Sequence, residues 1–132
     1  MKGVRNLNGA LNDQSSIYLQ IARMIEDDIL RGIYREEEQV PSTNELARVL
    51  CINPATAGKG VNLLVDEGIL YKRRGIGMFV APGAEQQVKQ KRRDAFYAAY
   101  VRPMVREAAG LGLSERDLLE MVEQATREEE NA

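Results

Sequence analysis

Two helix-start signals follow one another closely in PSTNELARVLCINPATAGKG, residues 41–60. In the first, Ser42 and Glu45 have the spacing of a capping box, in which each side chain accepts a hydrogen bond from the backbone N–H of the other residue. In the second, Asn53 is a favourable N-cap, and Pro54 stands at the first helical position, where its missing N–H costs nothing. The chain between the two signals has room for one short helix and a tight turn. This pair of short helices constrains the fold more than any other feature.

Apolar residues at helical spacing predict a further helix before the pair. The pattern from Ile17 to Ile29 predicts a helix over about residues 17–31, capped by Ser15 or Ser16 and ended by Gly32. Residues 33–39 then form a loop or a short strand. The predicted inward-facing residues of the two short helices are Leu46, Ala47, Leu50, Ala57, Gly60, Val61, Leu64 and Val65.

The rest of the chain predicts a hairpin and a helical tail. The runs ILYKRR and MFVAP are prone to form strands and flank the glycine turn GIG, which is a hairpin signal. Residues 85–109 return to helical spacing, with a kink or a new helix start at Pro103. Ser114 then caps a last helix. In the turn between the two short helices, Cys51 is expected to fill a small space in the core.

The composition argues against several classes of function. The chain of 132 residues has no histidine and one cysteine, so it lacks the usual general base and metal ligand and cannot form an internal disulfide. No apolar run approaches the roughly 20 residues that span a bilayer, and the first residues lack a secretory apolar segment. We therefore expect a cytoplasmic protein that is not an enzyme, holds no metal or cofactor and does not enter a membrane.

Charge is distributed unevenly along a chain whose net charge is −2. Residues 39–80 contain five basic and three acidic residues, and residues 89–106 contain six basic residues and one acidic residue. Such local patches decide which partners a protein attracts. The basic residues 72–74 can contact phosphate or simply keep a strand edge solvated. The basic run 89–93 can follow phosphates or pair with the acidic tail of a partner subunit, and the sequence leaves both open.

The order of elements is that of a winged helix-turn-helix, a mainly α fold with a small β wing. In this fold the second helix of the pair presents its N-terminal residues to base edges in the major groove. Asparagine can read adenine, threonine and lysine can contact phosphate, and a glycine such as Gly58 lets a backbone approach DNA closely. We expect Gly60, on the inward face, to serve helix packing; alternatively, both glycines are poor helix formers that tertiary packing tolerates.

Residues 17–81 resemble the DNA-binding domain of the GntR superfamily of bacterial transcription regulators. The matching features are Pro41-Ser42, Glu45-Leu46-Ala47, Leu50, Asn53-Pro54, Thr56, Leu64, Glu67-Gly68 and the wing Gly75-x-Gly77-x-Phe79-Val80. A short two-helix extension and the Asn-Pro start resemble the YtrA subfamily. That resemblance implies a dimerisation tail too small for an effector pocket, and control of transporter genes near its own. The family commonly has arginine where this chain has Asn44, and basic residues at the positions of Pro54 and Gly58.

Together these features predict a flexible arm (1–14), a winged helix-turn-helix domain (15–82) and a helical dimerisation tail (83–132). We expect a homodimeric regulator, a repressor rather than an activator, that binds a palindromic double-stranded DNA operator. A small-molecule effector of unknown identity stays open, and the alternative function is a protein-interaction adaptor that does not bind DNA. The candidate DNA contacts are Ser42, Thr43, Asn44, Asn53, Ala55, Thr56, Gly58, Lys59, Arg73, Arg74 and Gly75. The candidate dimerisation residues are Phe96, Ala99, Val105, Leu118, Met121 and Val122.

Overall fold

A computed structural model of the protein describes residues 16–132. The helices are α1 (Ile17–Leu30), α2 (Thr43–Leu50), α3 (Pro54–Asp66), α4 (Ala84–Phe96), α5 (Arg102–Gly110) and α6 (Glu115–Glu130), with a π-helical turn (Tyr97–Val101) between α4 and α5. The strands are β1 (Leu70–Arg73) and β2 (Gly77–Val80). The described chain has the winged helix-turn-helix that the sequence predicted, while the arm proposed for residues 1–14 lies outside the described residues.

Side-chain caps fix the starts of α2 and α3. The Ser42 hydroxyl accepts a hydrogen bond from the Glu45 N–H at 3.1 Å, and the Glu45 carboxylate accepts one from the Ser42 N–H at 3.4 Å. The Asn53 side-chain oxygen accepts a hydrogen bond from the Ala55 N–H at 2.8 Å, and Pro54 is the first residue of α3. Both predicted helix starts are therefore confirmed. The cap expected from Ser16 before α1 is not made by its side chain, and the other proposed residue, Ser15, is not described.

The chain divides into two compact units. The core of the first unit lies where α1, α2 and α3 meet. α3 contacts both other helices and buries Ala57, Gly60, Val61 and Leu64 against them. Val65, which was expected to face inward, is only partly buried. Three isoleucines of α1, at positions 21, 25 and 29, close the other side of this core. Burial of each large aliphatic side chain stabilises such a core by about 1.5–3 kcal/mol, so α3 is held firmly by its apolar side.

The wing is an antiparallel pair in which Leu70 lies opposite Val80 and Arg73 lies opposite Gly77. The segment before α2 joins this sheet through a bridge between Gln39 and Phe79. It adds a hydrogen bond from the Val40 N–H to the Met78 carbonyl at 3.0 Å. The region predicted as a loop or short strand therefore ends in a short paired segment that supports the wing.

The first compact unit continues past the predicted boundary at residue 82 and ends at Gln90. The reason is packing, because Ala84 and Val88 of α4 are fully buried in the core of this unit. The Pro-Gly turn before α4 is also held in place, since the Gly83 N–H donates a hydrogen bond to the Glu36 carboxylate at 2.6 Å. The Pro-Gly turn therefore precedes a helix whose first turns still belong to this compact unit.

The second unit covers residues 91–132. Pro103 occupies the second position of α5, directly after the π-helical turn, and the backbone stays helical from α4 through this turn into α5, so the predicted kink or new start coincides with a change of helix type and not with a break. α6 begins with a second capping box, in which Ser114 and Asp117 bond each other's backbone N–H groups at 3.1 and 2.9 Å. The hydrogen bond from the Ser114 backbone lowers the pKa of the Asp117 carboxyl. No residue of α6 is buried.

The structure contradicts the expectation for Cys51. This residue follows α2 in a left-handed conformation, with a φ of 55°, and its side chain is exposed. The neighbouring Ile52 takes the inward position and packs partly buried against the core. The turn between the two helices therefore uses isoleucine as its core filler, and the thiol contacts the Arg48 carbonyl at 3.8 Å on the surface.

Candidate nucleic-acid interface

The outer face of α3 carries polar or small side chains. Asn53, Ala55, Lys59 and Asn62 are exposed, while Thr56 is half-buried. The first turn of a helix leaves backbone N–H groups without helical partners and carries a partial positive charge. This face therefore combines hydrogen-bond donors, one lysine charge and small side chains, which are the properties that DNA phosphates and base edges require.

The candidate contacts on α2 lie beside α3. Ser42 and Asn44 are exposed, and Thr43 is half-buried. A Cβ atom added at Gly58 would stand 3.5 Å from the Thr43 methyl carbon, which is an ordinary contact distance. Gly58 is thus half-buried next to α2 instead of lying fully on the outer face. Its predicted contact with DNA stays a prediction.

Gly60 is required by the packing of α3 against α1. A Cβ atom at this position would lie 2.7 Å from the Tyr18 carbonyl oxygen and 3.0 Å from a methyl carbon of Ile21. Real Cβ atoms essentially never approach a backbone atom so closely, and the helix backbone cannot yield as a side chain can. The interpretation that Gly60 serves packing is supported by these distances.

Sequence reasoning missed the partner of Lys59. The lysine ammonium lies over the ring of Tyr18, 4.1 Å from its centroid, so α1 contributes an aromatic side chain to the outer face of α3. Tyr18, Lys59 and Asp66 line one open depression on this face. The only signal in the sequence was an aromatic residue at the start of α1, and it could be interpreted only once the contact between α1 and α3 was known.

The wing presents a basic and partly apolar tip. The Arg73 guanidinium lies over the Phe79 ring, 5.1 Å from its centroid, and Arg74 and Gly75 are exposed in the turn. Gly75 has a φ of 75°, which favours glycine. Ile76 is 60% exposed at the same tip. The structure therefore directs Arg74 to solvent and holds Arg73 against the sheet.

Gln39, which the sequence did not single out, fixes the wing tip. Its side-chain amide donates a hydrogen bond to the Ile76 carbonyl at 3.0 Å. A Cβ atom at Gly77 would lie 2.5 Å from that same amide nitrogen, and the φ of Gly77 is 145°. Glycine at this position thus makes room for the glutamine.

A second contact ties the base of the wing to the preceding loop. The Tyr71 hydroxyl donates a hydrogen bond to the Glu37 carboxylate, and this bond raises the pKa of the tyrosine. The Tyr71 ring stacks on Phe79 with a centroid distance of 5.8 Å. The segment before α2 and the wing therefore form one small sheet with aromatic and polar contacts.

The candidate dimerisation residues all lie in the second unit, and most are exposed. Phe96, Val105, Met121 and Val122 are between 42% and 58% exposed, Ala99 is exposed, and Leu118 is half-buried. Tyr100, which the sequence pattern did not single out, is 67% exposed, and its ring centroid lies 5.5 Å from that of Phe96. Most of these apolar side chains are therefore uncovered, while dimerisation itself stays a prediction.

Residues 16–132 contain neither a cluster of metal ligands nor a membrane-spanning helix. Within that part of the chain no three histidine, cysteine or acidic side chains are grouped so that they could hold a metal ion. No helix there is long and apolar enough to cross a bilayer.

The fold and the exposed polar face of α3 define a winged helix-turn-helix protein. The sequence model of the family described as bacterial regulatory proteins, gntR family, matches residues 17–80, and the chain belongs to this family. The HTH-type transcriptional repressor YtrA of Bacillus subtilis is 33% identical over 94 residues, covering 62% of this chain and 72% of YtrA. A GntR-family protein of Bacteroides thetaiotaomicron has a similar solved structure, with a TM-score of 0.74, 35% identity, and coverage of 86% of this chain and 98% of that one.

Some relatives are much longer than this chain. The HTH-type transcriptional regulator YurK of Bacillus subtilis is 38% identical over 72 residues, which are 53% of this chain and 30% of YurK. The chain therefore spans less than a third of that relative.

Proposed function

We propose that this GntR-family regulator is a repressor that binds a palindromic DNA operator as a homodimer. The observation that carries the proposal is the outer face of α3, where Asn53, Ala55, Lys59 and Asn62 are exposed beside a wing that ends in Arg74. In this arrangement α3 lies in the major groove, and the wing reaches the neighbouring backbone. We expect Asn53 and Thr56 to contact bases or phosphates, and Lys59 and Arg74 to neutralise phosphate charge.

Two observations support the homodimer and the direction of regulation. The second unit exposes a series of apolar side chains along its helices, which a second copy of the chain would cover. YtrA, whose name describes a transcriptional repressor, is similar over most of its length.

A two-fold dimer presents its two α3 helices to successive major grooves, so the half-sites should lie about 10 base pairs apart or at a multiple of that distance. The resemblance to the YtrA subfamily points to transporter genes near its own as targets.

The adaptor alternative is less well supported by the surface of α3. A helix that docks on a protein would be expected to present large apolar side chains, whereas the exposed residues here are polar or small. The low net charge of −2 does not argue for an adaptor, because the local basic residues of the wing and α3 decide attraction to DNA.

Selection of bound fragments from random double-stranded DNA tests this function directly. We expect an enriched palindrome, which then serves as the probe for fluorescence anisotropy at several salt concentrations. Failure to enrich any sequence, together with no binding to any duplex at low ionic strength, would contradict DNA binding. An enriched site without two-fold symmetry would contradict the dimeric arrangement.

Lys59→Ala tests the proposed phosphate contact on that probe. Loss of one phosphate contact should weaken binding to specific and random duplexes alike and flatten the slope of log K against log salt by about one unit. The matched control is Arg127→Ala, which removes the same charge from the exposed end of α6 and should leave the slope unchanged. An unchanged slope for Lys59→Ala would rule out its contact with phosphate.

A further inference from the structure

Lys59 is held by an aromatic ring that comes from a different helix. Its ammonium is 4.1 Å from the centroid of Tyr18, well inside the distance of about 6 Å at which a ring attracts a cation. A lysine side chain on a helix surface normally samples many rotamers and loses that freedom when it binds a phosphate. A ring that already restricts the ammonium reduces this loss.

The position of the Tyr18 ring is set by the packing of α1 against α3 and does not depend on the flexible lysine. The absence of a side chain at Gly60 lets the Tyr18 carbonyl approach so closely that an added Cβ atom would be 2.7 Å away. The start of α1 is therefore seated directly against α3 at Gly60, which is the residue next to Lys59 in the sequence. The position of the ring follows from this backbone contact, which is part of the buried core.

The chemistry of the partner is suited to a lysine that has a further task. A carboxylate partner would neutralise the ammonium and compete with an incoming phosphate. The ring of a tyrosine is uncharged, attracts the cation through its face and leaves ammonium N–H donors available. Lys59 remains exposed in this arrangement.

We propose that Tyr18 is a positioning residue that holds the Lys59 ammonium on the outer face of α3 in the place where it meets a DNA phosphate. This inference rests on the proposed DNA-binding function and adds α1 to the elements that determine affinity. It also gives a role to the glycine at position 60, since a Cβ atom there would collide with the Tyr18 carbonyl and hold the start of α1 away from the lysine.

A double-mutant cycle on the selected operator tests the proposal. Tyr18→Phe keeps the ring and should bind like the wild type, whereas Tyr18→Leu should bind about two- to five-fold more weakly, the factor that an exposed cation–π contact supplies. In a Lys59→Ala background, Tyr18→Leu should cause no further loss. Leu19→Ala, which shortens an exposed apolar neighbour in the same turn of α1, is the matched control and should bind like the wild type.

An NMR measurement without DNA separates the contact between Lys59 and Tyr18 from DNA binding itself. The Lys59 side-chain protons nearest the ring should show upfield ring-current shifts in the wild type and in Tyr18→Phe that disappear in Tyr18→Leu. Equal losses of affinity for Tyr18→Leu with and without Lys59, or tighter binding by Tyr18→Leu, would overturn the positioning role while DNA binding stands. A wild-type protein that shows the ring-current shift but binds no duplex would overturn the proposed function and this role with it.

Discussion

At the scale of single residues, the two glycines of α3 have different environments although they are two positions apart. Gly58 has room for a methyl group beside Thr43, and Gly60 has none because the Tyr18 carbonyl occupies that space. The sequence predicted this division in part, since helical spacing put Gly60 on the inward face. It could not predict the close backbone contact, which depends on how α1 and α3 pack.

Substitution of each glycine by alanine tests this difference. Gly58→Ala should stabilise the protein by up to about 1 kcal/mol, the helix-propensity gain of alanine. Gly60→Ala gains the same propensity but forces a Cβ atom against a backbone carbonyl, and overpacking of a core costs about 1–3 kcal/mol. We expect net destabilisation of Gly60→Ala in urea unfolding at equal protein concentration. A Gly60→Ala variant as stable as Gly58→Ala would show that α1 moves aside at little cost.

The cap at Asn53 gives a second residue-scale prediction. Asn53→Ala removes the hydrogen bond to the Ala55 N–H, and loss of such a cap lowers the free energy of unfolding by about 1 kcal/mol. Asn53→Asp, which keeps the oxygen acceptor, is the matched control and should retain most of the stability. Thermal unfolding followed by circular dichroism measures both variants. An Asn53→Ala midpoint equal to that of the wild type would argue against this cap as a source of stability.

At the scale of elements, local signals in the sequence predicted the helix-turn-helix well and its surroundings less well. Caps at Ser42 and Asn53 depend on neighbours within three residues, so short-range patterns located both helices. The support of the wing depends on Gln39, which lies 37 residues before its partner Ile76, and no local pattern contains that pairing. The exposed position of Cys51 was missed for a different reason. The geometry of the helix end, and not hydrophobicity, decides which residue of the turn faces the core.

The bond between Gln39 and the wing tip should control the order of the turn. Gln39→Glu is nearly isosteric but replaces the donor with a carboxylate that repels the Ile76 carbonyl. We expect faster amide hydrogen exchange at Ile76, whose N–H donates to the Arg73 carbonyl at 2.9 Å across the turn. Gln86→Glu, the same charge change at an exposed position of α4, should leave this exchange unchanged. Equal protection of the Ile76 amide in Gln39→Glu and wild type would mean that the turn holds itself.

At the scale of the whole molecule, the two compact units differ in how they bury apolar residues. The first has a continuous core from α1 to the first turns of α4. In the second, Ala108 is the one hydrophobic residue that is buried among the described residues 91–132, while aromatic and aliphatic side chains remain exposed. Helices of this length gain most of their stability from packing of an apolar face. The second unit therefore requires a partner surface more than the first.

Leu118→Asp tests whether that partner is a second copy of the chain. Leu118, Met121 and Val122 share one face of α6 by helical spacing, and a carboxylate buried in an apolar interface without a partner costs several kcal/mol. We expect the mass measured by light scattering to fall from that of a dimer to that of a monomer. Arg127→Asp also introduces an aspartate but on the opposite side of α6, nine residues or about 180° from Leu118, so it should remain dimeric. If Leu118→Asp stays dimeric, or Arg127→Asp dissociates instead, the interface does not use the predicted face of α6.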